Sequence, residues 1–469
     1  MGRLRTSSAS ELLVQLDRST SEPLHRQLGC ALRHAIRYGG LEAGAALPSS
    51  RALATQLGVA RGVVVEAYEQ LVAEGYLVSR AGGTTRVAPG LAAPGRAPVD
   101  LEPETFAFDF RPGRPDVTEF PRTTWVRALR RALESAPASR LSYLESHGVP
   151  ELRLALAAYL NRVRGTAADP ADVVIGSGFA QLLGLLAATL ASQGSRQFAV
   201  EDPFAPEYAA IVAHAGLEVV PIPVDEDGLR VDRLPNARVD AVLVTAAHQY
   251  PLGSVLPPGR RAALLDWARA TGGLVVEDDY DAEFRYDRDP VGALQGLAPS
   301  HVVYAGSASK SLAPGLRLGW LIAPPVLATA VIATKEAADQ GSQAMDQLAL
   351  AEFIDQGDLD RHLRRLRPIY RRRRDALLAA LARHLPDLRT TGAAAGLHVV
   401  AWLPAALDEA RIVAEARHVG IAISGLTPRR AAPGPPGLIF GYGGIAESAI
   451  ERGVERLADV IAAVGASGA

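Results

Sequence analysis

A chain of 469 residues, 48% hydrophobic and 21% charged, is too long for one ordinary core and too apolar to stay disordered, so two or more folded domains are expected. No apolar run nears the ~18 residues of a membrane span and no apolar stretch follows the basic start, which predicts a cytoplasmic protein without a membrane partner. The single cysteine, Cys30, cannot close an intrachain disulfide or supply a zinc cluster.

The formal charge of -2 hides an asymmetry: residues 1–87 hold ten arginines and seven acids, so +3, and the remainder carries -5. A small basic module on a large acidic body is compatible with nucleic-acid binding. After an N-terminal arm, residues 1–20, apolar residues Leu24, Leu28, Leu32, Ala35 and Ile36 recur at helical spacing from Glu22 to Tyr38. Ser49 is a good N-cap for a second helix that Gly58 stops, and a third runs from about Arg61 to Glu74. Tyr76 to Val87 reads as a hairpin about Ala81-Gly82-Gly83. This order predicts a winged helix-turn-helix over residues 21–88, with the third helix in the major groove of a double-stranded DNA operator. Arg51, Arg61, Arg80 and Arg86 are the candidate DNA contacts. A small helical domain with solvated arginines is the competing reading of the same pattern. Residues 89–108, rich in proline and without periodicity, are expected to be a semi-rigid linker.

From 109 to 469 strands and helices alternate. Strands are predicted at 172–175, 197–200, 218–222, 241–245, 273–277 and 301–304, and helices at 178–192, 258–271 and 342–356. Such an α/β pattern implies a mainly parallel sheet with ligands at the carboxyl ends of its strands. Gly176-Ser177-Gly178 before a helix is a weak phosphate-site signal. The acids of Glu277-Asp278-Asp279-Tyr280-Asp281 would repel one another unless a cation, a metal or a protonated ring nitrogen lies near, or the turn is solvated. Of 49 basic residues only Lys310 and Lys335 are lysines, and Lys310 stands among Ser307, Ser309 and Ser311. Arginine cannot form an imine, so a lysine retained there suggests amine chemistry, an exposed surface lysine being the plain alternative. A phosphate cradle, a carboxylate and an amine are together what pyridoxal phosphate requires.

Two resemblances extend this reading. LPSSRALATQLGVARGVVVEAYEQLVAEGYLVSR resembles the DNA-binding head of the GntR family, which implies a dimeric DNA binder, with Thr84 where a second glycine is usual in the hairpin. Residues 109–460 resemble the fold-type-I aminotransferases, and more closely the aminotransferase-like domain of the MocR regulators, through HQYPLG, EDDYDAEF and GSASKSLAPGLRLGW, with 32 positions from Asp278 to Lys310. The resemblance implies an internal aldimine of pyridoxal 5'-phosphate on Lys310, Asp278 at the pyridinium nitrogen, Tyr280 at the phenolic oxygen, and His248 and Gln249 close by. It places Phe179, Ala180, Ser307, Ser309 and Arg317 at the phosphate, and Tyr143 at the phosphate of the neighbouring subunit of a homodimer.

The chain also departs from this pattern. Ala205 stands where relatives stack an aromatic on the ring, leaving Phe204 or Tyr208 as substitutes, and Leu252 replaces a hydroxyl residue. Ile439 stands where amino-acid-processing members have an arginine for the substrate carboxylate, a contact worth ~1.5–3 kcal/mol. Arg429 or Arg430 could supply one from a loop. The basic run Arg361–Arg374 is expected to be the solvated face of a helix interrupted at Pro368, with DNA contact as its alternative, and Lys335 to lie on the surface. His147, His214 and His398 lack metal spacing, and no metal is expected.

The reading as a whole is a regulator that senses pyridoxal phosphate without catalytic residues, most like the PdxR type that controls synthesis of this cofactor. An active aminotransferase with an accessory DNA-binding domain, a regulator sensing an amino acid or other amine, and a body that has lost the cofactor are the alternatives.

Overall fold

A computed structural model describes residues 16–37, 40–79, 83–89, 104–143, 145–281, 283–286 and 291–466. The chain divides into two compact units, Met1–Glu104 and Thr105–Ala469.

In the first unit, helices Leu24–Arg37, Ser50–Leu57 and Arg61–Ala73 enclose a core of Leu28, Leu32, Leu53, Val64, Tyr68 and Leu71. The Ser49 side chain accepts from Ala52 N, capping the second helix, and Gly58, at φ 62°, turns the chain out of it. Tyr68 fixes the third helix against the second by donating from its hydroxyl to Pro48 O at 3.0 Å. Strands Leu77–Val78 and Arg86–Val87 pair antiparallel as the hairpin, and Arg86 also bridges Ala46.

The second unit is built on an eight-stranded sheet in the order 173–176, 319–322, 302–307, 274–278, 241–244, 197–202, 218–225, 228–229. Gly319–Ile322 runs antiparallel between 173–176 and 302–307, and the short edge strand 228–229 is also antiparallel; the other pairs are parallel. Central strands are apolar on both faces. Leu243, Val276 and Val303 pack under helices Phe179–Ser192 and Pro325–Asp339, while Val242, Val275 and Val302 pack under Pro258–Thr271. The strand periodicity places residues 176–178, 245–250, 278–281 and 307–310 at one edge, the carboxyl end of the parallel strands.

A smaller antiparallel sheet, 390–391, 398–402, 437–441 and 424–425, packs with helices Asp358–His384, Glu409–His418 and Glu447–Ala466. Strand Phe108–Asp109 pairs in parallel with Ile421–Ala422, so the first residues of this unit are threaded into its last part. Among the described residues no helix is long and apolar enough to cross a membrane.

Two sequence expectations fail here. Helix Asp358–His384 runs unbroken through Pro368. The proline and Arg364, whose carbonyl loses its partner, are both exposed, which leaves that carbonyl on the solvent side, while Leu363, Leu366, Tyr370 and Leu377 hold the opposite face in the core. The basic run is for the most part the solvated face expected, with Arg361, Arg364, Arg365, Arg371 and Arg372 exposed, but three of its arginines are held by the body. Arg373 is buried and donates to Asp116 and to Gly443 O, Arg374 is buried against the Tyr286 ring, and Arg367 donates to Glu283 O. Lys335 is likewise no surface residue: it is 0% exposed, and its ammonium donates to Asp339 at 2.7 and 2.8 Å and to Ser342 at 3.0 Å. The i,i+4 spacing of Lys335 and Asp339 was its visible signal.

Candidate functional site

A cavity of about 210 Å³ opens at the carboxyl edge of the large sheet, and Lys310, Asp278, Tyr280, Asp281, His398 and Arg429 are among its walls. Lys310 lies in the single helical turn after strand Val302–Ser307, which the Ser307 hydroxyl caps by accepting from Ser309 N. Its Nζ donates to Gly113 O at 2.8 Å. Burial lowers the proton affinity of this amine, against the opposing pull of Asp278 and Asp281. Asp278 ends the adjacent strand. Burial, and then the charge of Asp279, raise its pKa well above the carboxylate range, with Lys310 pulling the other way.

The acidic stretch is divided by the alternation of the chain among separate partners. Glu277 accepts from Leu294 N, Asp279 from Arg164 and the Tyr304 hydroxyl at 2.7 Å each, and Asp281 sits 3.0 Å from His248 Nδ1. Asp278 and Asp281 both line the cavity with Lys310 and act on its charge, Asp278 more strongly.

His248 does not line the cavity itself. Its Nδ1 lies 3.0 Å from the Tyr280 hydroxyl as well as from Asp281, and thereby orients the phenol that does. Gly396, at φ 77°, leaves room for the imidazole, since a Cβ there would meet His248 Cε1 at 2.1 Å. His248, Asp281 and His398 bring one ligand atom each to within 4.8 Å of one another, a juxtaposition hidden by up to 150 positions of sequence. His398 Nε2 is engaged by Pro251 O, and His248 Nδ1 by Asp281 and Tyr280. Gln249 is spent on bracing its turn against the segment at Pro203: its amide donates to Pro203 O and Tyr250 O and accepts from Leu252 N.

The five residues carried over to the phosphate position lie around the start of helix Phe179–Ser192. Gly178 and Gly319 approach so closely that a Cβ on Gly319 would sit 2.8 Å from Gly178 Cα. This contact lets Arg317 lie beside Gly178 and donate to Ser177 O. Phe179 is buried edge-on to Tyr208, and Ala180 is half-buried in the first turn. Ser307 and Ser309 precede Lys310, at the cap and in the first turn of its short helix. Behind this turn Gln181 accepts from Ser177 N and donates to Asp339, the partner of buried Lys335. Backbone N–H groups at a helix start beside an arginine suit a phosphate dianion.

Phe204, Ala205 and Tyr208 all line the cavity, so both aromatic substitutes reach it. Tyr143 does not; it is 98% exposed. Ile439 is buried among Val400, Leu426 and Leu252, and offers no polar group. Arg429 enters the cavity from a loop instead, its guanidinium 5.2 Å from the Tyr250 ring centroid and its Nε and Nη1 buried without a hydrogen-bond partner. The loop is held by Arg429 O accepting from Phe204 N and by Ala431 N and Ala432 N donating to Asp202.

In the first unit Arg51 and Arg61 are exposed at the starts of consecutive helices, with Arg61 Nε 3.3 Å from Ser50 Oγ. Arg86 is exposed in the hairpin and donates to Gly44 O. Arg80 lies outside the described residues.

Comparison with known proteins matches residues 24–87 to the bacterial regulatory proteins of the gntR family and residues 114–435 to the aminotransferase class I and II family. The chain is 34% identical to the probable rhizopine catabolism regulatory protein MocR of Rhizobium meliloti, over 97% of each. It is 32% identical to the HTH-type pyridoxine biosynthesis transcriptional regulator PdxR of Corynebacterium glutamicum, over 96% of this chain and 99% of that one. In fold it is similar to the multiple substrate aminotransferase of Thermococcus profundus, with a TM-score of 0.72 at 26% identity over 78% of this chain and 94% of that one. A GntR head and an aminotransferase-like body, found together over nearly the full length of these relatives, mean that the chain belongs to the MocR-type GntR transcription regulators.

Proposed function

We propose that this regulator takes up pyridoxal 5'-phosphate on Lys310, and that its binding to an operator responds to that uptake so as to control genes of vitamin B6 synthesis. The observation that carries the reading is a buried amine of lowered proton affinity in one cavity with a buried carboxylate and a phenol. When bound, the cofactor supplies an aldehyde for attachment to an amine and an electron-withdrawing ring.

Each residue has a role in this scheme. Lys310, held by Gly113 O, presents the attaching nitrogen. Asp278 pays less for its charge once a ring N–H faces it. Tyr280, oriented by His248, donates to the ring's phenolic oxygen. Arg317, Ser307, Ser309 and the helix start at Phe179 and Ala180 hold the phosphate, and Tyr143 reaches that of the neighbouring subunit in a homodimer. The relative that governs pyridoxine biosynthesis supports the choice of target genes. The apolar setting of Ile439 supports sensing over turnover. Arg51, Arg61, Arg80 and Arg86 are the DNA contacts in this scheme.

Arg429 favours a second reading, in which the effector is an amine that carries a carboxylate. Full-length protein incubated with pyridoxal phosphate is expected to show the visible absorption of the attached cofactor, and folded Lys310→Ala none; an unchanged spectrum in the variant would refute the assignment. A gel shift with the DNA upstream of its own gene should change when pyridoxal phosphate is added. Steady turnover of an amino acid with 2-oxoglutarate would instead mark an aminotransferase.

A further inference from the structure

Arg429 and Arg430 are consecutive, yet they line different cavities. Arg430 belongs to a cavity of about 540 Å³ walled by Arg389, Trp402, Leu252, Ser254 and Pro435. The turn 252–254 separates it from the His248 side. A Cβ on Gly253 would lie 3.1 Å from His248 Nε2 and 2.2 Å from Gly392 Cα, so backbone and imidazole close the wall.

We propose that this cavity is a second small-molecule site, which takes an organic carboxylate on a flat apolar stem. Two guanidinium groups share the Trp402 ring, Arg389 at 5.2 Å and Arg430 at 5.9 Å from its centroid, an arrangement that orients both planes while leaving their edges for an acceptor. Among the described residues neither is in an ion pair; Arg430 has only the Pro435 carbonyl, at 3.3 Å. Arg430 Nε and Ser254 Oγ are both buried without a hydrogen-bond partner. Burial also lowers the proton affinity of Arg430, with Asp202 and Glu409 opposing, and an anion in contact would relieve that cost.

The acids of the opposite rim do not supply the missing partner. Asp225 is taken by Arg260, at 2.5 and 2.7 Å, and Glu226 is exposed. Leu252, Pro435 and the free part of Trp402 give the cavity an apolar floor, which a carboxylate with a planar stem covers and inorganic phosphate leaves bare.

Calorimetric titration of the full chain with benzoate, and separately with inorganic phosphate, tests the site. Saturable benzoate binding is expected, with a change in tryptophan emission that Trp402→Phe removes. Affinity should fall about tenfold or more in Arg389→Ala and in Arg430→Ala, and stay unchanged in Arg429→Ala, whose side chain serves the other cavity. Arg389 is exposed, so its variant reads binding even where loss of Arg430 disturbs the loop. Three results would overturn the proposal: no saturable benzoate binding by folded protein, a loss confined to Arg429→Ala, or phosphate binding tighter than benzoate. None of these depends on pyridoxal phosphate, whose uptake is read separately by its absorption.

Discussion

Lys335, one of two lysines in the chain, shows how burial gives a residue its meaning. Its ammonium is fully buried against Asp339, and Asp339 also accepts from Gln181, which holds Ser177 N in the turn before helix Phe179–Ser192. Lys335→Met should destabilise the second unit by roughly 3 kcal/mol, because it strands Asp339 without its cation. Urea unfolding measures that loss, and weaker uptake of pyridoxal phosphate should accompany it as the Ser177 turn loosens. Glu277 carries a pH dependence of unusual sign. Burial, then Asp279, raise its folded pKa from 4.5 to about 7. Between these values only the folded state holds the proton, so stability from this group is present below pH 4.5 and is lost as pH rises through 7. Relative to wild type, Glu277→Gln should therefore gain up to about 3 kcal/mol between pH 4.5 and pH 7.5. Urea midpoints at the two pH values check this, and a pH-independent difference would count against the raised pKa.

At the scale of elements, strand and helix periodicity located the large sheet well, because strands buried on both faces and helices buried on one leave distinct patterns. Helix Pro258–Thr271 falls where its pattern put it, while strand Gly319–Ile322 overlaps the end of the lysine segment and is too short to show an alternation. In the long helix Asp358–His384 the sequence pointed rightly to a mostly solvated arginine face but wrongly to a break at Pro368, and the burial of Arg373 and Arg374 depends on tertiary partners that no local pattern shows. Arg373→Ala tests its structural role. Breaking the buried contacts to Asp116 and Gly443 O should cost about 3 kcal/mol in unfolding free energy and leave the affinity of folded protein for operator DNA unchanged. Selective loss of DNA affinity would return the run to a DNA-binding role.

For the whole molecule, the two compact units predict separable functions. Arg61→Ala should weaken operator binding by about tenfold or more without altering the absorption of bound pyridoxal phosphate. A fragment of residues 105–469 should keep that absorption and lose operator binding altogether. By itself, the sequence determined the order of domains, the α/β class and the roll of candidates Lys310, Asp278 and Tyr280, because these follow from local periodicity and from motifs of contiguous residues. Only the tertiary structure decided what lay between distant segments: Arg429 in the Lys310 cavity, His248 beside Asp281 and His398, and Lys335 linked through Asp339 and Gln181 to the Ser177 turn. The physical reason is that burial and pairing depend on which strand ends converge, and a chain that brings position 113 to position 310 leaves no local trace of doing so.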